Sequence, residues 1–290
     1  MGCVAVTGGK GGTGKSTVAV NVALAAAEYR DIVLADLDVE APNDHILLNA
    51  ELEGREEIRI MIPFIDYSKC VKCGACAKVC DTGAILAPKG RYPFTLPRLC
   101  SGCRACYFAC PTKAIAEGFK VIGYSYRTEI TSGSKSLTLI TGVLREGEEH
   151  VTPAVLATKD RALRESRDLL VIDTAAGSGN TITASIDGSD LIIAVTEPTP
   201  LGVHDLELVL ELASRLGIEA LVVINKVGIG PKKKVVDIVV RHGAKIIAEI
   251  PYSKDIIKSY VKGVPIIKAD PSNPIASKFR ELGKYLSEVV

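Results

Sequence analysis

Short apolar runs alternate with helix-period stretches along most of this chain. Gly2–Thr7, Ile32–Asp36, Leu169–Asp173, Leu191–Thr196 and Ala220–Asn225 stay apolar until their last residues, as strands buried on both faces of a parallel sheet do. Lys245–Ile250 reads as a sixth strand. Lys15–Tyr29, Thr152–Ser166, Val203–Leu216 and Lys232–His242 read as helices, and two more, Ser253–Lys262 and Asn273–Val289, close the chain. Strand–helix alternation of this kind predicts an α/β, doubly wound, mostly parallel sheet with helices on both faces. From Met61 to Gly118 the alternation stops, and Cys, Gly and Pro punctuate the chain. Val121–Val143 suggests two or three short strands before the pattern resumes. The division expected is therefore 1–60 and 119–290 as one split domain, with 61–118 inserted into it.

The insert holds eight of the nine cysteines, in two runs of C-x2-C-x2-C-x3-C: Cys70, Cys73, Cys76, Cys80, then Cys100, Cys103, Cys106, Cys110 with Pro111 following. This is the spacing of a bacterial-type ferredoxin with two [4Fe–4S] clusters, in which the fourth cysteine of each run serves the other cluster. Carried over by position, one cluster takes Cys70, Cys73, Cys76 and Cys110, and the other takes Cys100, Cys103, Cys106 and Cys80. The two halves repeat their context, Cys80-Asp81-Thr82-Gly83-Ala84-Ile85 and Cys110-Pro111-Thr112-Lys113-Ala114-Ile115, although the first lacks the proline. Zinc sites are the alternative, but they more often show two separated C-x2-C pairs. A segment this poor in periodic apolar residues takes its order from metal. Cys3 reads as a small buried strand residue.

The first strand leads into Gly9-Lys10-Gly11-Gly12-Thr13-Gly14-Lys15-Ser16-Thr17, which satisfies G-x4-G-K-[ST] between a strand and a helix. In such a loop the backbone N–H groups cradle phosphate, Lys15 reaches the β/γ-phosphates and Ser16 ligates Mg²⁺. The extra Lys10 makes the string resemble the deviant Walker A of the MinD/ParA/nitrogenase-iron-protein class. That resemblance implies that Lys10 reaches across a dimer interface to the partner's nucleotide. Asp36-Leu37-Asp38 resembles the class's switch I, with Asp38 orienting the attacking water, Asp36 supporting the loop, both counted with Ser16 in the Mg²⁺ shell, and Asn43 nearby. Asp173-Thr174-Ala175-Ala176-Gly177 resembles switch II, with Asp173 as the Walker B carboxylate and an alanine where the class usually has proline. Asn225-Lys226 ends a strand and resembles the site of the class's adenine-reading Asn, and Ile250-Pro251-Tyr252 the last strand whose loop lies against the base. Thr196-Glu197-Pro198-Thr199-Pro200, with Gly202, His204 and Asp205, is typical of the same branch. The resemblance spans nearly the whole chain and is nearest to MinD-superfamily ATPases carrying an inserted ferredoxin domain.

Charge removes other classes. A formal net charge of +1 over 290 residues gives no field that draws the chain to nucleic acid or membrane. The Lys232–Lys234 run reads as a solvated face, and the stripe Phe279, Leu282, Leu286, Val289 as packing. His45, His150, His204 and His242 show no ligand spacing. No secretory leader is read before the first strand, so a cytoplasmic protein is expected. The absence of Gln and Trp fits a hyperthermophile. Asn180 stands where the nitrogenase iron protein has its bridging cysteine, and no cysteine follows Cys110 to make the C-x-x-C of Mrp-type carriers.

The expected activity is that of a slow, partner-stimulated ATPase that dimerises with Mg-ATP and couples nucleotide state to electron transfer through its two clusters. An unidentified redox protein would be its partner. An ATP-dependent cluster carrier and a partner-recruiting, redox-sensing switch are the alternatives. Because the insert follows switch I, the coupling is expected to pass through that one insertion point.

Overall fold

In a computed structural model that describes residues 1–132 and 135–290, the expected strands join a single nine-stranded sheet. Residues 133–134, inside the stretch expected to hold short strands, lie outside the described residues. The chain opens with β1 (Gly2–Thr7), α1 (Lys15–Ala26), β2 (Ile32–Asp36), α2 (Asp44–Leu47) and β3 (Glu56–Ile65). The cysteine segment contributes α3 (Ala75–Lys78), β4 (Ile85–Leu86), β5 (Phe94–Thr95) and α4 (Ala105–Ala109). Next come β6 (Ile115–Ser132), β7 (Lys135–Leu144), α5 (Val151–Glu165), β8 (Leu169–Asp173), α6 (Asn180–Ile186) and β9 (Leu191–Thr196). The rest is α7 (Pro200–Leu216), β10 (Glu219–Val227), α8 (Lys233–Arg241), β11 (Lys245–Pro251), α9 (Lys254–Val261), α10 (Ile266–Ala269) and α11 (Pro274–Val289).

The strand order is β11-β10-β9-β1-β8-β2-β7-β6-β3, parallel from β11 to β7 and antiparallel through β6 and β3. Alternate residues of each central strand feed opposite layers, as the two-residue period requires. Val4 and Val6 pack with α1 and α11, whereas Cys3 and Ala5 pack with α5 and α6. Phe279, Leu282 and Leu286 of the C-terminal stripe are buried in the α1 layer. No helix among the described residues is long and apolar enough to cross a membrane.

The stretch around the insert differs from the sequence expectation. Both ends of the stretch without alternation are strand: β3 and β6 pair antiparallel from Glu56↔Ser125 to Ile65↔Ile115. Since β6 already meets the end of β7 at Gly123↔Leu144, Ile115–Ile122 and their β3 partners project beyond the sheet. At about 3.4 Å per residue that overhang is about 25 Å long. The ribbon rises from the C-terminal edge of the parallel strands, and the cysteine segment sits on it. Strand β3 and helix α2 therefore separate the insert from the loop after β2, which it was expected to follow directly.

Candidate nucleotide site and cysteine insert

All the phosphate-loop elements lie at the C-terminal ends of parallel strands, where β1 is flanked by β8 on one side and β9 on the other. Crevices at such reversals of strand order are where open α/β sheets bind ligands. Helix α1 begins at Lys15 behind Gly14, whose φ of 94° is left-handed, and no side chain caps it. Its first-turn N–H groups stay available for an anion. A Cβ at Gly14 would collide with Asn225 Nδ2. The Lys15 Nζ donates to Lys10 O at 3.1 Å. Burial lowers the Lys15 pKa, against the pull of Asp173 and Asp38. The buried Thr13 Oγ1 has no partner.

Register brings the carboxylates together. Asp36 and Asp173 are direct partners across β2 and β8, and with Asp44 they place one oxygen each within 4.8 Å of one another. All three side chains are buried. Asp36 is satisfied, accepting from the backbone N–H groups of Asp38 (3.1 Å), Asn43 (2.9 Å) and Asp44 (3.0 Å). It thus folds the loop after β2 back on itself. Both oxygens of Asp44 and both of Asp173 lack any partner. Burial pushes the Asp36 carboxyl up to about 7 and Asp173, further repelled by Asp36, to about 8. Asp44 is raised for the same reasons, burial first and then Asp173 and Asp36. Buried carboxylates without partners are costly, and beside Ser16 and a phosphate loop these two fit a divalent cation. Asp44 belongs to no motif in the sequence, and only the fold brings it beside Asp173.

A cavity of about 390 Å³ opens beside the loop, lined by Gly11, Gly12, Gly14, Lys15, Ser16, Thr17 and Asp38 on one side. Asn225, Lys226, Pro251, Tyr252, Ile256 and Tyr260 line it too. Its size is that of small-molecule sites. Asn225 Nδ2 donates to Thr13 O at 2.7 Å, and its Oδ1 accepts from the Lys226 N–H. That amide therefore braces the phosphate loop, with one N–H and one lone pair left over. Gly9 lies outside the cavity, against Asp205, where a Cβ would collide.

Lys10 also lies outside the cavity. Its Nζ pairs with Glu197 Oε1 at 2.6 Å, while Lys226 Nζ takes Glu197 Oε2 at 2.8 Å and donates to Gly12 O at 2.6 Å. Burial alone would raise the Glu197 carboxyl, but the two ammonium groups hold it below its ordinary value. The sequence placed Glu197 in a family-like string without a role. Here it ties Lys10 to its own chain.

The two cysteine runs are interleaved. Cys70, Cys73, Cys76 and Cys110 line one small cavity together with Ile65 and Ile115, at the end of the ribbon. Cys80 lies close enough to Cys100 for their thiolates to repel, and Cys106 likewise feels Cys100 and Cys103. Burial pushes the Cys106 thiol up to about 11, and raises Cys76 and Cys100 as well. A zinc ion, with Zn–S near 2.3 Å, would hold its sulfurs about 3.8 Å apart. Among the described residues no three cysteine sulfurs come within 4.8 Å of one another. Two runs of four thiols have the donor chemistry for iron or zinc.

The halves are not equivalent. The second run lies nearer the sheet: Cys100 Sγ is 3.8 Å from Met61 O, and Gly102 sits over Ile60 and Met61. Arg98 meets Glu149 at 2.5 Å, and His150 Nε2 donates to Cys100 O at 2.7 Å. His150, set aside in the sequence for want of ligand spacing, thus joins the sheet domain to the cysteine segment. The insertion point is not the only connection.

Comparison with known proteins agrees with this geometry. The profile of the CobQ/CobB/MinD/ParA nucleotide binding domain matches residues 4–266. An uncharacterized protein of Methanocaldococcus jannaschii is 33% identical over 290 residues, covering 100% of this chain and 96% of its own. An iron-sulfur cluster carrier protein of Aquifex aeolicus is 24% identical over 306 residues, covering 99% of this chain and 67% of its own. Among solved structures, the septum site-determining protein MinD of Pyrococcus horikoshii, complexed with Mg-ADP, superposes with a TM-score of 0.62. It is 19% identical, over 98% of this chain and 95% of that one.

Proposed function

Because the chain belongs to the CobQ/CobB/MinD/ParA nucleotide-binding family, we propose that it is a MinD-like ATPase whose Mg-ATP state controls two [4Fe–4S] clusters in its insert. One observation carries the cluster half of this reading. Cys110 joins Cys70, Cys73 and Cys76 around one cavity, and Cys80 is not part of its lining but lies within electrostatic range of Cys100. Exchange of the fourth cysteine is the two-cluster ferredoxin arrangement.

The residues divide the work as follows. The N–H groups of Gly11–Ser16, with Thr13 Oγ1 and Lys15 Nζ, bind the phosphates, and Ser16, Asp44 and Asp173 hold Mg²⁺. Asp36 keeps the loop after β2 folded through its three N–H donors. From that loop Asp38 orients the attacking water. Asn225, Pro251 and Tyr252 enclose the base. Lys10 leaves Glu197 to meet the nucleotide of a second subunit, making the active form a homodimer. The eight thiolates hold the clusters, which supply one-electron transfer with a redox protein.

Anaerobic iron and sulfide analysis, with redox titration by EPR in the metal-replete apo, ADP and ATP-analogue states, tests the whole reading. It requires about eight irons per chain and a potential that depends on nucleotide. A potential indifferent to nucleotide overturns the coupling. The similarity to an iron-sulfur cluster carrier favours a second reading, cluster donation. Rapid ATP-dependent transfer of a cluster to an apo-protein would put that reading first.

The Glu197 pair supplies a separate prediction. Glu197→Gln weakens the hold on Lys10 and is expected to tighten ATP-analogue-dependent dimerisation about tenfold, or about 1.4 kcal/mol. Sedimentation with and without the analogue measures it. An unchanged or weaker dimer removes Lys10 release from the mechanism.

A further inference from the structure

Two nucleotide-side loops converge on one element pair outside the site. Val39, directly after Asp38, accepts a hydrogen bond from Leu144 N–H at 2.7 Å, where β7 ends. Gly142 allows this approach, since a Cβ there would lie 2.5 Å from Thr158 Oγ1 of α5 and 2.6 Å from Val39 Cγ1. On the other side, the loop after Asp173 runs into α6, and α6 is fastened to α5 twice. The Thr152 and Thr181 hydroxyls are 3.2 Å apart, and Lys159 Nζ donates to Ala184 O (3.1 Å) and Asp187 O (2.5 Å).

The connection between β7 and α5, residues 145–150, continues from there to the insert. Arg145 N–H donates to Ile122 O at 2.9 Å and its guanidinium to Val121 O at 3.2 Å, both at the root of the ribbon. Lys120 pairs with Glu148 at 2.7 Å, Glu148 abuts His150 Nδ1, and His150 Nε2 holds Cys100 O at 2.7 Å. The Glu148 and His150 side chains are both buried. That carbonyl belongs to the peptide joining Cys100 to Ser101, and the Cys100 Sγ itself lies 3.8 Å from Met61 O of the ribbon.

We propose that residues 145–150 carry nucleotide state to the second cysteine run alone, with His150 as the positioning residue that makes the contact. Movement of Val39 or α6 shifts this connection and, through His150, the peptides beside Cys100. Hydrogen bonds to cysteine sulfur and solvent exposure set cluster potential. The group held by Cys100, Cys103, Cys106 and Cys80 then responds to ATP. The group held by Cys70, Cys73, Cys76 and Cys110, at the ribbon's far end, does not. This rests on the ATPase–ferredoxin reading above.

The test uses the full-length, metal-replete protein with Mg-ADP and with a non-hydrolysable Mg-ATP analogue. It combines hydrogen exchange over residues 98–103 with an EPR titration that resolves each cluster. Wild type is expected to show a nucleotide-dependent change in exchange there and in one cluster potential only. His150→Ala is expected to lose both changes, and His150→Gln, which keeps an N–H donor, to restore them. If His150→Ala retains both changes, or the cluster of the first run is the one that moves, the inference is overturned while the parent reading stands. A wild type that assembles no clusters overturns both.

Discussion

Asp173→Asn is expected to raise the melting temperature of the metal-free protein while abolishing its response to Mg-ATP. Asp173 and Asp44 bury four carboxylate oxygens without a partner, close to Asp36. Above about pH 8 Asp173 is ionised in the folded chain. There an asparagine at 173 removes one charge from that group and offers an N–H to the Asp44 carboxyl, so the gain is expected at alkaline pH. Relief of a buried unsatisfied group is worth about 1–3 kcal/mol, and each kcal/mol moves a large domain by about 2–4 °C. The same substitution removes a cation ligand, so an ATP analogue with Mg²⁺ should no longer stabilise the chain. Calorimetry with and without the analogue checks both halves. A variant that melts lower when metal-free at alkaline pH, or that keeps the wild-type response to nucleotide, contradicts the assignment.

The pH dependence carries the same signature. In the folded chain Asp36 titrates at about 7 and Asp173 at about 8, against about 3.9 for an unfolded aspartate. Between those values the folded state binds more protons, so stability falls as pH rises. The contribution is complete below about pH 4 and is lost as pH passes through the folded values. Metal-free wild type should therefore melt higher at pH 5 than at pH 8.5. Asp173→Asn should flatten the slope, and Mg²⁺ should oppose it.

Cys80→Ala is expected to remove about half of the bound iron, and the half it removes is informative. Although Cys80 belongs to the first run in sequence, it is absent from the cavity that Cys70, Cys73, Cys76 and Cys110 line and lies within electrostatic range of Cys100. Its loss should erase the EPR signal that Cys103→Ala erases and leave the one that Cys73→Ala erases. If Cys80→Ala and Cys73→Ala remove the same signal, each run holds its own metal and the exchange is wrong. The buried apolar cluster of this segment is small, Met61, Cys76, Ile85, Cys106 and Ile115. Losing one cluster should leave half the insert open to protease while the sheet stays intact.

The strands that were legible in the sequence are those buried on both faces, where apolar residues run unbroken. The flanks of the insert were hidden by their mixed character. Glu56, Glu57, Arg59 and Pro63 punctuate β3 because it is an edge strand, and edge strands carry charge and proline to discourage further pairing. Helix α6 is short and rich in β-branched Thr and Ile, residues with weak helix propensity, so its place between β8 and β9 left no periodic mark. The phosphate loop and the cysteine spacing were readable because they are local. Asp44, Glu197 and His150 were not, because each acts on a group distant in sequence. His150 is the extreme case: its partner is a backbone carbonyl, which has no side-chain signature at all.

The pairing of Ile65 with Ile115 has a consequence for how such a chain could arise. Antiparallel partners sit about 5 Å apart, so the two ends of the insert occupy the space of an ordinary two-residue hairpin turn. The entropy cost of a closed loop grows only slowly with its length. The ancestral sheet could therefore accept a duplicated cysteine unit, or shed one, without changing the register of any strand. Modularity of this kind lets the metal-binding cassette and the nucleotide engine diversify separately, with selection acting most strongly on the few side chains that join them.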